Sequence, residues 1–131
     1  MKPDVHIEAI KEYLGILQYS VARGIEHSQR AVGFACSAAA ADLFELFLHQ
    51  QNLIDPGANI KHNWFASIPA AKKRFAFDFP QKEELLRLLN EIEKRRNLFC
   101  YGKQQTAKSI EELIATFNEL KRKLELLGAK V

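Results

Sequence analysis

A chain of 131 residues with 47% hydrophobic and 27% charged residues is long enough to bury one core without disulfides, and too short for two ordinary domains, so residues 1–131 are read as a single domain. No run approaches the roughly 20 apolar residues needed to span a bilayer, and Met1-Lys2-Pro3-Asp4 leads straight into an amphipathic segment without a signal-peptide pattern, so a cytoplasmic location and no membrane contact are expected. The net charge of +3 is unevenly placed: residues 1–60 hold 4 Lys/Arg against 7 Asp/Glu and residues 61–108 hold 11 against 5, an asymmetry that permits contact with RNA, nucleotide phosphate or an acidic protein.

Taken in order, Ile7, Ile10, Leu14, Leu17 and Val21 recur every three to four residues and predict an amphipathic helix from Asp4, its N-cap, to Gly24. A second helix, about Ser28 to Gln51, is apolar nearly all round and rich in alanine, the pattern of a helix at the centre of a bundle or at a subunit interface. Asp42, Glu45 and His49 interrupt it at i, i+3, i+7 and share one stripe, either its exposed edge or a partner for a cation elsewhere. Residues 53–80 read as irregular, with a turn at Asp55-Pro56-Gly57, a short helix near Ser67 to Arg74, and an extended run whose phenylalanines, Phe75, Phe77 and Phe79, pack on the bundle. Trp64 and Phe65 are expected as core anchors.

A third helix, about Gln81 to Phe99, carries Glu83 and Glu84 at its start and Lys94-Arg95-Arg96 at its end, as the helix dipole prefers. The last helix is expected to open on Ser109-Ile110-Glu111-Glu112, a capping box, and to close at Gly128. The architecture is therefore all-α, an antiparallel bundle of four to five helices.

Two residue patterns bear on chemistry. Cys36 and Cys100 lack CxxC spacing and read as packing residues, while His6, His27, His49 and His62 form neither an HxH nor an HExxH pair, so no metal and no cofactor are expected. The second pattern is the stripe Leu85, Leu88/Leu89, Ile92, Phe99, into which Arg96 falls one turn after Ile92. A guanidinium there must snorkel, pair with an acid such as Asp42 or Glu45, or face a second subunit or an anion.

The alanine-rich helix 31–48 with Asp42 at an acidic position, followed by Arg96-Asn97-Leu98-Phe99-Cys100-Tyr101-Gly102, resembles the HEPN domain and its Arg-Asn-x-x-x-His-Gly motif, over about residues 5–127. The resemblance implies a homodimer through the second and third helices, in which Arg-x4-6-His motifs form a metal-independent ribonuclease site. It also implies a partner, a minimal nucleotidyltransferase that silences the domain as in a toxin–antitoxin pair. By this likeness Arg96 is the motif arginine, with Arg95, Asn97 and Lys103 as further binding residues and Asp42 and Glu45 as interface pairing residues.

Tyr101 stands where the family has histidine, and no histidine follows it. A phenol that titrates near 10 is a poor base at neutral pH. Lys103 occupies the position where some members carry a tyrosine that the partner enzyme modifies. The reading is thus a catalytically degenerate binding or regulatory domain directed at a nucleotidyltransferase, a nucleotide or RNA. The alternatives are an active ribonuclease using Arg96 with Tyr101 and a purely structural helical protein.

Overall fold

Apolar residues at three- and four-residue spacing become five α-helices in the computed structural model, which describes residues 3–131: α1 (Pro3–Arg23), α2 (Gln29–Gln50), α3 (Ile68–Arg74), α4 (Lys82–Tyr101) and α5 (Ala107–Leu126). Short 3-10 turns at Ile25–His27 and His62–Phe65 join them, and no strand occurs among the described residues. The four long helices alternate in direction. His6 and Tyr13 of α1 meet Asp42 and Phe34 of α2, Ser37 of α2 meets Glu93 of α4, and Lys123 of α5 meets Glu84 of α4.

α2 is the hub. It packs against α1, α4 and α5, whereas α1 lies on α2 and its backbone approaches neither α4 nor α5. Gly33 explains how closely α2 can lie on α4, because a Cβ there would stand 2.9 Å from Cβ of Phe99. By length and composition α2 would also span a bilayer, contrary to the sequence reading, but 78% of its most apolar stretch is buried inside the bundle, as in a core helix.

The core runs from Ile10 and Leu17 through Phe44, Phe47 and Leu48 to Leu85, Leu89, Phe99, Phe117 and Leu124. Each fully buried side chain of that size contributes about 1.5–3 kcal/mol from the area it removes from water. Phe44 is the ring around which residues 62–80 fold, meeting Phe65, Phe75 and Phe79 edge-on or tilted at centroid distances of 5.2 to 5.7 Å. Residues 75–79 thus form an irregular cover rather than a strand. Phe65 is buried as expected. Trp64 is half-buried under the Arg74 guanidinium, 4.3 Å from the ring centroid.

Several helix details differ from the sequence reading. The buried face of α1 is His6, Ile10, Leu17 and Ser20, so the stripe is rotated by about one residue and Val21 is exposed. His6 is drawn inward because α2 offers it Asp42 and Glu45 as partners. α5 starts at Ala107 rather than near Ser109, since the Thr106 hydroxyl accepts the Ser109 backbone N–H at 3.1 Å and satisfies one of the first-turn donors. Asp4 lies in the first turn of α1 rather than capping it, and α4 runs past Phe99 to Tyr101, whereas Gly24 and Gly128 close α1 and α5 as expected, with φ of 112° and 115°, where a Cβ would be strained.

Candidate functional site

α4 ends in the stretch singled out by its charges. Arg96 follows the buried Ile92 by one turn and is half-buried, and among the described residues no acid pairs with it. Arg95, one residue earlier, is committed differently: it donates to the Ser109 carbonyl at 3.1 Å and to Glu112 at 3.2 Å. It ties α4 to α5. Asn97 and Lys103 are exposed, and the Lys103 carbonyl accepts from Gln29.

Tyr101 is the last residue of α4 and is 76% exposed. Because the helix continues unbroken through it, a residue five positions from Arg96 projects about 140° around the axis. Arg96 and Tyr101 therefore do not share a cleft within one chain, and the pairing expected for a cis catalytic site is not assembled.

One turn before Arg96, Glu93 is buried and holds His62 from the 3-10 turn. Nδ1 of His62 lies 2.9 and 3.0 Å from the two carboxylate oxygens, and the Ser37 hydroxyl donates to Glu93 at 3.5 Å. The imidazole is 39% exposed while the carboxylate fixes the ring. Sequence spacing did not suggest this pair, since 31 residues separate its members.

The acidic stripe of α2 faces α1 rather than Arg96. Glu45 is 3% exposed and Asp42 20% exposed, and both face His6 of α1. Asp42 Oδ1 lies 2.6 Å from His6 Nδ1, and Glu45 Oε2 faces both His6 Nε2 and, at 3.3 Å, His49 Nε2. The other Glu45 oxygen accepts the Ile60 backbone N–H at 2.5 Å.

Burial raises the Asp42 pKa; the hydrogen bond and charge of His6 act against the shift, and Glu45 adds to it. The Glu45 carboxylate, expected as an interface pairing group, meets partners within its own chain: His6, His49 and the Ile60 N–H. The four histidines look scattered in sequence, yet ligand atoms of His6, Glu45 and His49 lie within 4.8 Å of one another. The visible signal was the i, i+4 pair Glu45 and His49 together with a histidine one turn before Ile10.

Comparison with protein-family models, with characterised proteins and with solved structures returns no match to this chain.

Proposed function

We propose that this chain is a HEPN-like helical domain that acts as a binding or regulatory module without ribonuclease activity. It would be a cytoplasmic homodimer through α2 and α4, directed at a nucleotidyltransferase partner, a nucleotide or RNA. What supports the reading is the divergence of the motif: Arg96 stands on the inner stripe with no acid partner among the described residues, while the residue in the histidine's place is a tyrosine about 140° around the helix. An arginine without an internal acid is available for phosphate or a partner carboxylate. Phe34, Leu98 and Tyr101 are large exposed side chains on the two helices that the dimer would use.

One observation favours a second reading. His62, oriented by Glu93, sits on the residue that precedes Arg96 by three positions, and side chains at that spacing are neighbours on a helix. In an active ribonuclease, His62 rather than Tyr101 would move the 2′-hydroxyl proton.

A cleavage and filter-binding assay on a mixed RNA pool, with and without excess EDTA, separates the two. Expected for the wild type are binding that weakens steeply with salt, loss of that binding in Arg96→Ala, and no cleavage. Cleavage abolished by both Arg96→Ala and His62→Ala, but not by Tyr101→Phe, would replace the first reading with the second.

A further inference from the structure

About two turns along α2 from Ser37, and among the described residues, three buried polar atoms make no well-formed hydrogen bond: His6 Nε2, Glu45 Oε2 and His49 Nε2, the carboxylate oxygen lying within ion-pairing distance of both nitrogens. They belong to side chains 1%, 3% and 6% exposed. A buried polar atom without a well-formed hydrogen bond costs about 1–3 kcal/mol, and here three such atoms lie within 4.8 Å of one another. We propose that His6, Glu45 and His49 bind a divalent transition-metal ion, zinc by the chemistry of its donors, which clamps α1 to α2.

Charge argues for a cation. With neutral imidazoles the cluster holds the carboxylates of Asp42 and Glu45 nearly out of water, a cost that a dication cancels. Two imidazolium protons would cancel it as well, but each would then aim an N–H along a lone pair of Glu45. Neither Nε2 meets hydrogen-bond geometry with that oxygen. Nitrogen and oxygen lone pairs gathered around a shared point are the arrangement of ligands about a metal.

The outer partners agree. Asp42, against His6 Nδ1, fixes the tautomer that leaves Nε2 free to ligate, and the Ile60 N–H occupies one Glu45 oxygen while the other points inward. Glu45 and His49, one turn apart on α2, present their ligand atoms from the same face. Two imidazoles and one carboxylate select a first-row transition metal over magnesium or calcium, which prefer oxygen, and leave a fourth position for water. This inference does not rest on the reading of Arg96.

The test uses the full chain, stripped with dipicolinate at neutral pH and titrated calorimetrically with zinc chloride. Expected are one equivalent bound, a rise in melting temperature with zinc, and an affinity about 10- to 100-fold weaker in Asp42→Asn. His6→Gln and His49→Gln should abolish stoichiometric uptake. Cobalt added to the stripped wild type supplies a readout that needs no variant to fold: visible d–d bands with no thiolate-to-cobalt charge transfer are expected. No uptake of either metal, uptake unchanged in both histidine variants, or a thiolate band from Cys100 would each overturn the proposal.

Discussion

Cys36 and Cys100 differ through their surroundings alone. Burial pushes the Cys36 thiol up to about 12, whereas Cys100 is partly exposed with its Sγ 3.8 Å from the Arg30 carbonyl. Only thiolate reacts readily, so iodoacetamide at pH 8 is expected to label Cys100 in the folded protein and to reach Cys36 only on unfolding, as mass spectrometry would show. The sign of the linked stability follows. An unfolded thiol ionises near 9.0 and the folded one does not, so unfolding releases a proton, and the stability that the thiol allows below pH 9 falls as pH rises towards about 12. Comparing wild type with Cys36→Ala in urea at pH 8.5 and 10.5 isolates that loss. Gly33 supplies a second test. Its missing Cβ would meet Cβ of Phe99, an atom fixed to the α4 backbone, so Gly33→Ala must push two helices apart. The overpacking cost of about 1–3 kcal/mol should exceed the helix-propensity gain of about 1 kcal/mol, giving net destabilisation in urea.

At the scale of the helices, what could be read from the sequence was periodicity, and what could not was competition between equally good caps. Leu85, Leu88, Leu89 and Ile92 placed α4, and the alanine-rich run identified α2 as the hub, because apolar spacing depends on the helix itself. At the start of α5, Ser109 and Thr106 both offer a capping hydroxyl, and only the path of residues 102–106 decides between them. Thr106 takes the role, so Thr106→Ala is expected to cost about 1 kcal/mol in chemical denaturation. Ser109→Ala should cost less, since the Ser109 backbone N–H, which that change keeps, makes the bond. The one-residue rotation of α1 has a similar origin: nothing in α1 alone says that His6 belongs inside until Asp42 and Glu45 face it.

Across the whole molecule, the legible part of the site was the part contained in one helix. Arg96 stood out from its own stripe, but the His62–Glu93 contact and the His6 cluster each join residues far apart in sequence, and tertiary packing alone brings them together. The packing is uneven. α1 rests on α2 without a backbone neighbour in α4 or α5, whereas α2, α4 and α5 support one another. Native-state hydrogen exchange should therefore show α1 amides opening at lower free energy than those of α2. Equal protection of all four long helices would contradict that hierarchy.

Gln29 connects these parts in another way. Its buried amide donates to the carbonyls of Phe99 and Lys103 and accepts the Gln105 N–H, so one side chain at the start of α2 sets the path of the chain where α4 hands over to α5. Only an amide offers donor and acceptor in that fork; a carboxylate, hydroxyl or methyl would leave part of the turn unanswered. The two segments are consequently bound by inheritance as well as by contact. Among descendants of this chain, a change at position 29 should be accompanied by an insertion, deletion or rewiring within 102–106, a covariation across more than 70 residues that sequencing of such lineages would reveal.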